Sequence, residues 1–518
     1  MKLNYKRTLL VGFAFFLILV FWQAYDSIIP KILTDKFGLS QFWSGVIMAI
    51  DNVLAVFMLP LFGMLSDRHH GKRGRRTPFI LAGTIAASVL FLGLSFADQM
   101  QLNRIDSIAA VNDTASSEER EEALITLYRS GASWQIGIGN PNGPRDTDLA
   151  NIYGSEEYFL AAMREENPDM TYVTKARQAY AWQKTCENPV VLAVFIILLL
   201  GVLIAMSTFR SPAVALMPDV TPKPLRSKAN AIINLMGTAG GILVLVLGIL
   251  FGTGKTENTL MSYTLFFLTI TLIMLAALLV FMLTVKEVPW AKEITNAEAA
   301  ETDSPVPGTK ASHGKLSGAE LRSLAFILAS VALWYMGYNA VTSKYSVYAG
   351  EVLQLDFNLT LIVAQAAAIL SYIPVGIIAS KIGRKKTILA GVAMLGIAFG
   401  TAAFMRAGSS IVVINILFSL AGIGWATINV NSYPMVVELA RSGDTGKYTG
   451  YYYTASMSAQ IITPILSGAF LTYIDMKTLF PYATFFVAAA FVTMLFVHHG
   501  DSKPEQKKDL LESLDADD

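Results

Sequence analysis

The sequence is poor in cysteine and in charged residues, and each shortage excludes a class of protein. Its single cysteine, Cys186, excludes an intrachain disulfide and a metal site built from cysteine ligands. Only 15% of the residues are charged, whereas a soluble protein carries about 25%. The net charge of +1 gives no indication of nucleic-acid binding. The chain also lacks a phosphate-binding P-loop, a recognisable catalytic triad and a metal motif, so we expect neither an enzyme nor a resident cofactor or metal.

Long apolar runs are what the chain has instead, and 53% of its residues are hydrophobic. A helix needs about 20 apolar residues to cross a bilayer, and we count twelve segments that reach this length. These segments are 8–30, 42–65, 78–97, 189–217, 229–252, 260–285, 321–343, 358–380, 386–405, 409–439, 447–474 and 479–499. We therefore expect an all-α membrane protein with twelve transmembrane helices.

Two polar stretches divide these helices into groups. The predicted organisation is transmembrane helices 1–3 (residues 1–97), an extracytoplasmic insert (98–188), helices 4–6 (189–285), a flexible cytoplasmic linker (286–320), helices 7–12 (321–499) and a cytoplasmic tail (500–518). The aromatic residues of the insert predict a compact cap rather than a disordered segment. Basic residues concentrate in the loops on the side of both termini, which predicts cytoplasmic termini in a plasma or inner membrane.

A basic loop between the second and third spans runs from Gly63 to Ile80. It places Asp67 at the end of one helix, and Arg75 and Arg76 at the start of the next. A carboxylate and a guanidinium can form a bidentate pair that holds two helix ends together. The pattern returns between two later spans, from Gly376 to Leu389, and such repeats are typical of transporters built from two pseudo-symmetric six-helix bundles. The residues predicted to form an inner gate are Gly63, Asp67, Arg68, Arg75, Arg76, Arg226, Gly383, Arg384 and Glu438.

These residues carry a resemblance to a known family. The pattern Gly-x-x-x-Asp-Arg followed by Gly-Arg-Arg resembles the signature between helices 2 and 3 of the major facilitator superfamily. The longer spacing and the ending Gly74-Arg75-Arg76-Thr77-Pro78-Phe79-Ile80 are similar to its sucrose-transporter branch. That branch includes plant sucrose–proton symporters, animal SLC45-type carriers and bacterial relatives, and the glycoside–pentoside–hexuronide symporters are more distant kin. The resemblance implies a bacterial-type sugar transporter, and it does not extend to residues 98–188.

A second resemblance lies at the end of the fourth span, from Arg210 to Asp219. The sucrose-transporter branch has a similar Pro-Ala-Arg-Ala-Leu-x-x-Asp segment, whose aspartate is implicated in proton coupling, and Asp219 matches that aspartate. The arginine of the branch falls at Val214 in this chain. Arg210, one helical turn earlier, could substitute for it.

Asp26 and Asp51 lie inside apolar spans, where a charged side chain is costly and usually faces a cavity. Asp51 lies near the middle of the second span and is our first candidate for carrying a proton, with Asp219, Asp26 and Arg210 as the other candidate coupling residues. Melibiose-type sodium symporters carry an Asp-x-x-x-Asp-Pro pair in this span, whereas Ala55 and Leu59 precede the proline here. A lone carboxylate suits a proton better than a sodium ion, so we expect no cofactor other than a proton gradient.

Sugars present hydroxyl edges and flat C–H faces, so a sugar site needs carboxylates, amides and aromatic rings together. Trp22, Tyr25 and Asp26 share one face of the first span and form the strongest candidate. The predicted substrate-binding residues are Trp22, Gln23, Tyr25, Asp26, Asn52, Trp334, Tyr338, Asn339, Gln365, Tyr372, Asn429, Asn431 and Gln460.

The sequence thus favours a proton-coupled sugar symporter that works by alternating access, with a disaccharide or another glycoside as substrate. Two alternatives stay open at this point. One is a proton-coupled exporter of drugs or metabolites with the same fold. The other is a non-transporting membrane sensor whose insert binds a ligand. The expected partners are a small sugar, protons and the lipid bilayer, without nucleic acid, and we expect a monomer.

Overall fold

The computed structural model describes residues 4–113, 117–136, 145–165, 168–221, 226–302, 317–437, 439 and 445–500. In chain order, the first half comprises α1 (Tyr5–Lys31), α2 (Gln41–Arg68), α3 (Thr77–Leu102), the insert helices α4 (Glu118–Arg129), α5 (Leu149–Tyr153), α6 (Glu156–Met163) and α7 (Thr171–Glu187), and then α8 (Val190–Asp219), α9 (Arg226–Phe251) and α10 (Thr264–Thr284). Helix α11 (Glu287–Thr302) precedes the second half, which comprises α12 (Gly318–Tyr348), α13 (Phe357–Ile382), α14 (Arg384–Ala402), α15 (Ile411–Val437), α16 (Thr445–Tyr473) and α17 (Leu479–Leu495).

The all-α membrane fold is confirmed. Among the described residues, eleven helices are long and apolar enough to cross a membrane, and α13 contributes a shorter apolar stretch, Phe357–Tyr372. Two helices run past their predicted ends through a wide π-helical turn, α1 through Ile32–Lys36 and α12 through Ala349–Leu353. These turns carry Lys36 and Glu351, which the apolar pattern left outside the spans.

Each half has its own hydrophobic core. In the first half, α1 packs on α9 and α3 packs on α8, around rings such as Phe21, Phe91 and Phe267. In the second half, α13 and α14 pack on α15, and α12 packs on α17. The aromatic rings of Trp334 and Tyr348 are fully buried there. The separate cores make each half a body that can move against the other.

We call the two ends of the bundle the insert side, where the insert lies, and the loop side, where residues 69–76 lie. The halves meet closely on the insert side. Phe42 N donates to Thr472 Oγ1 at 2.8 Å, and Lys344 Nζ donates to the Gln41 carbonyl at 2.9 Å. A Cβ added at Gly468 of α16 would lie 2.3 Å from the same carbonyl. The structure is therefore closed on the insert side, and glycine permits this contact between α2 and α16.

The insert is folded, with a short antiparallel hairpin of β1 (Trp134–Ile136) and β2 (Arg145–Thr147) beside its four helices. Phe159 and Leu127 lie in its core, together with Leu260 from the connection between α9 and α10. The predicted boundary at residue 98 is wrong, because α3 continues to Leu102. Asp98 belongs to α3 and forms a fully buried ion pair with Lys36 at 2.7 Å.

The prediction of a wholly flexible linker at 286–320 is also wrong. Residues Glu287–Thr302 form α11, and the side chain of Glu287 is buried beside the start of α3. The polar composition of the segment pointed to disorder, but a carboxylate that accepts several backbone hydrogen bonds fixes its beginning. The predicted tail at 500–518 lies outside the described residues, apart from Gly500.

Candidate functional site

The loop between α2 and α3 forms a charged cluster on the loop side. Arg75 Nη2 contacts Asp219 at 2.6 Å, and Arg76 Nε contacts the other oxygen of Asp219 at 2.8 Å. Arg76 also donates through Nη2 to Asp67 and through Nη1 to Ser66 Oγ. The ends of α2, α3 and α8 are therefore joined through one guanidinium. We call Asp67, Arg75, Arg76 and Asp219 the loop-side clamp.

Glu287 of α11 completes this cluster, and sequence reasoning missed it. Its carboxylate accepts hydrogen bonds from the backbone N–H groups of Arg75, Arg76 and Thr77, at 2.7 to 3.2 Å, and from Thr77 Oγ1 at 2.7 Å. It therefore caps the N-terminus of α3, where free N–H groups and the helix dipole favour a negative charge. Gly74, with φ of +106°, leaves the space that this carboxylate fills. In the sequence, the only indication of this capping role is that Glu287 is an acidic residue shortly after an apolar run.

The other predicted gate residues are placed less centrally. Gly63 lies on α2 against Ser211, and Arg68 is exposed at the end of that helix. Gly383, with φ of +92°, precedes α14, and Arg384 is its first residue. Arg226 begins α9, but its side chain is not described, and Glu438 lies outside the described residues.

We expect Asp67→Asn to weaken the loop-side clamp. Arg76 would keep Asp219 but lose a charged partner, which should shift the balance between the two access states by about 1–3 kcal/mol. Transport should fall while substrate still binds. Thiol-accessibility labelling on the two sides measures the shift, and unchanged accessibility would refute a latch role for this pair.

We expect Glu287→Ala to lower thermal stability, because two buried N–H groups and one partly buried N–H group would lose their acceptor, at about 1–3 kcal/mol for each buried group. Glu293→Ala on the same helix is the matched control, since Glu293 is 58% exposed and contacts only Arg7 among its described ion pairs. Thermal unfolding in detergent should separate the two variants clearly. Equal melting temperatures would contradict the capping role.

A second cluster lies within the membrane-spanning part of the first half. The Arg210 guanidinium lies over the Trp22 ring, 5.3 Å from its centroid, and interacts electrostatically with Asp26 and Asp51. Asp51 accepts a hydrogen bond from Asn52 at 2.7 Å. The three charged side chains are half-buried. We call Trp22, Asp26, Asp51 and Arg210 the central cluster.

Donor groups around the central cluster lack partners. Trp22 Nε1 and Tyr25 Oη are buried, and neither forms a hydrogen bond with any described residue. The two rings contact each other edge to face at 5.3 Å. Buried polar atoms are nearly always satisfied, so these two donors without protein partners are candidates for contact with a ligand or water.

An aromatic wall of the second half faces this cluster. Tyr338 of α12 stacks on Trp425 of α15 with centroids 3.6 Å apart and an interplanar angle of 1°, and Tyr335 meets the same indole edge to face. Tyr338 interacts electrostatically with Asp26 across the interface. The next residue, Asn339, has a buried Nδ2 without a described partner. Asp26 of one half and the aromatic rings of the other thus lie near each other across the interface.

Gln23 and Gln365 also join the two halves. Gln365 Nε2 donates to Gln23 Oε1 at 2.7 Å, and Gln23 Nε2 donates to Ser27. The sequence placed both residues in the site, and the structure brings them into contact across the interface. The bond needs the halves in their present relative position.

Several predicted site residues lie elsewhere or are engaged. Trp334 is 0% exposed in the core of the second half, and its buried Nε1 has no hydrogen-bond partner among the described residues, so its binding role stays a prediction. Asn431 is buried and donates to the Thr427 carbonyl of its own helix. Gln460 donates to the Ser456 carbonyl, Asn429 is half-buried on α15, and Tyr372 is exposed on α13. Asp219 belongs to the loop-side clamp and not to the central cluster.

Comparison with known proteins identifies the family. The family model of the Major Facilitator Superfamily matches residues 181–461 and 357–514. The chain belongs to the major facilitator superfamily. A further model, described as MFS/sugar transport protein, matches residues 10–103 of this superfamily member. The protein is accordingly a multi-pass membrane transporter, and its family and fold are not those of an enzyme.

Individual relatives are distant. Sucrose transport protein SUC4 of Arabidopsis thaliana is 37% identical over 63 residues, which are 12% of this chain and 12% of that protein. The inward open xylose transporter XylE from E. coli is 15% identical, with 99% of both chains covered and a TM-score of 0.57. A D-xylose-proton symporter is 14% identical, with 96% of this chain and 99% of that chain covered and a TM-score of 0.56. At these identities the structural likenesses show the fold alone.

Among the described residues, no group of three or more His, Cys, Asp or Glu side chains could hold a metal ion. The central cluster combines two carboxylates with one guanidinium instead. Such a set can exchange a proton and can bind hydroxyl groups, and both properties suit a polar, uncharged substrate.

Proposed function

We propose that this transporter is a proton-coupled symporter of a sugar, and that a disaccharide or another glycoside is its substrate. The observation that carries the proposal is the proximity of the central cluster to the stacked pair of Tyr338 and Trp425 across the interface. Carboxylates and amides on one side can bind hydroxyl groups, while the rings on the other side can contact the apolar faces of a sugar. The limited identity to a sucrose transport protein supports the same substrate class.

Asp51 is the proposed proton carrier. It lies near the middle of α2, within electrostatic reach of Arg210, and its described hydrogen bond is to the neutral Asn52. A carboxylate that is not hydrogen-bonded to a cation can bind a proton when the cavity opens to one side and release it when the cavity opens to the other. Asp26 lies beside Trp22, Tyr25 and Tyr338, so we assign it to substrate binding. Asp219 is held by two arginines, which suits a gate.

The basic residues of the loop side support a cytoplasmic position for that side under the positive-inside rule. Both termini would then be cytoplasmic in a plasma or inner membrane, and the insert would be extracytoplasmic. With the insert side closed, the proposed state is inward-facing, and the proposed assembly is a monomer. No resident cofactor is required, because the proton gradient supplies the driving force.

Uptake by purified protein in lipid vesicles tests this function. A panel of radiolabelled mono- and disaccharides should include at least one that accumulates when the outside is acidic and the inside is neutral. A protonophore should abolish the accumulation, and a sodium gradient should not replace the proton gradient. Accumulation of no sugar in the panel, with efflux of apolar drugs instead, would favour an exporter and refute the proposal.

A further inference from the structure

Helix α7, the last helix of the insert, lies against both halves. Toward the first half, Arg177 Nη2 donates to Asp35 at 2.9 Å, and these side chains are only 2% and 4% exposed. Thr185 Oγ1 donates to the Phe37 carbonyl at 2.9 Å. Toward the second half, Gln178 Nε2 donates to Glu351 Oε1 at 2.7 Å. One helix of the insert thus bridges the closed side of the transporter.

The contacts of the insert with the two halves differ in kind. Its hydrophobic core includes Leu260 of the first half, and Asn112 Nδ2 donates to the Thr256 carbonyl of the same connection at 3.3 Å. The backbone of α7 also lies close to Gly38, where an added Cβ would be 2.3 Å from the Gln178 carbonyl. Apolar packing and buried hydrogen bonds therefore attach the insert to the first half, so the two should move together.

The boundary with the second half is polar and loosely packed. A small cavity of about 20 Å³ lies there, lined by charged residues that include Lys31, Asp35, Arg177 and Glu351. Ser346 Oγ, on the second half, is buried at this cavity and has no hydrogen-bond partner among the described residues. A contact with such a cavity and little apolar packing can separate at low cost, because both faces are readily hydrated.

We infer that the insert is a rigid extension of the first half, and that its Gln178–Glu351 hydrogen bond latches the second half in the conformation closed on the insert side. Opening that side moves the halves apart. The insert must then break its hydrogen bond to Glu351 while it keeps its ion pair with Asp35. The insert sets the balance between the access states without contacting the substrate. This inference depends on two moving halves and not on which substrate the transporter carries.

Distance measurements between spin labels test the latch in the full-length protein. The native cysteine is first removed by Cys186→Ser, and labels are attached after Lys255→Cys in the first half and Ser410→Cys in the second, both exposed on the insert side. Because Gln178→Ala leaves the Glu351 carboxyl without this hydrogen bond in the closed conformation, the variant should raise the ratio of open to closed populations by roughly tenfold. Gln183→Ala, an exposed glutamine on the same helix, is the matched control and should leave the ratio unchanged.

A double-mutant cycle distinguishes the latch from a general loss of stability. Glu351→Ala should shift the ratio as Gln178→Ala does, and the two changes together should add little to either alone. Each variant must elute as a single monodisperse species. An unchanged ratio in Gln178→Ala, an equal shift in Gln183→Ala, or fully additive shifts in the double variant would each overturn the inference.

Discussion

Replacement of Asp51 by asparagine should abolish proton-driven sugar accumulation while leaving sugar exchange intact. The amide keeps the size and hydrogen-bonding capacity of the side chain but cannot bind and release a proton. Counterflow exchange needs no net proton movement, so it should continue at a rate near that of the parent protein. Uptake of labelled sugar into vesicles should therefore reach only the external concentration, even with an acidic outside.

Two further substitutions serve as comparisons. Asp26→Asn should reduce sugar binding by roughly 10- to 100-fold, the loss expected for a hydrogen bond to a charged group, and should impair exchange and accumulation alike. Asp219→Asn should slow every transport mode without uncoupling, because Asp219 contacts Arg75 and Arg76 and not the central cluster. Uphill accumulation that persists in both Asp51→Asn and Asp219→Asn would show that neither residue carries the proton.

The substitution Gly468→Val should stop transport by preventing closure on the insert side. A Cβ at this position would lie 2.3 Å from the Gln41 carbonyl and 3.1 Å from the Phe42 Cα, and both are backbone atoms that cannot move aside alone. Helices α2 and α16 would have to separate, which also breaks the Phe42–Thr472 hydrogen bond. We expect at least a tenfold loss of uptake, equivalent to about 1.4 kcal/mol against the closed state, with substrate still binding from the insert side.

Gly450→Val is the control for this prediction. Gly450 lies on the same helix, is exposed, and has no atom within 4 Å of an added Cβ. The control tests whether a larger residue in α16 is harmful in itself. Transport and the spin-label distances on the insert side should be normal in Gly450→Val and altered in Gly468→Val. Normal uptake by Gly468→Val would show that transport does not need the close contact between α2 and α16.

The membrane class and, among the described residues, eleven of the twelve predicted spans followed from the sequence, because each span must be continuously apolar over about 20 residues whatever it packs against. The paired loop motifs likewise indicated two halves. Helix ends were less predictable. Lys36 and Asp98 look like loop residues in isolation, but each neutralises the other in a fully buried pair, so the charges no longer limit the helices.

The candidate site was only partly predictable for a related reason. Helical spacing placed Trp22, Tyr25 and Asp26 on one face of α1, since that relation is local. The sequence did not show that Trp334 is fully buried in the core of the second half, whereas Tyr338, one turn later, lies near Asp26, because only the packing of α12 against its neighbours sets how the helix is rotated.

The sequence by itself determined which charged residues lie in or beside apolar spans, where a charge has a high free-energy cost. These are Asp26, Asp51, Arg210 and the arginines of the loop between α2 and α3. Tertiary structure alone decided their partners. Arg76 bonds to both Asp67 and Asp219, Glu287 of the linker caps α3, and Gln178 of the insert reaches Glu351 of the other half. Hydropathy is a property of each segment and can be read along the chain. Hydrogen bonds and ion pairs join residues up to 430 positions apart, as between Phe42 and Thr472, and only the packing of the helices brings such residues together.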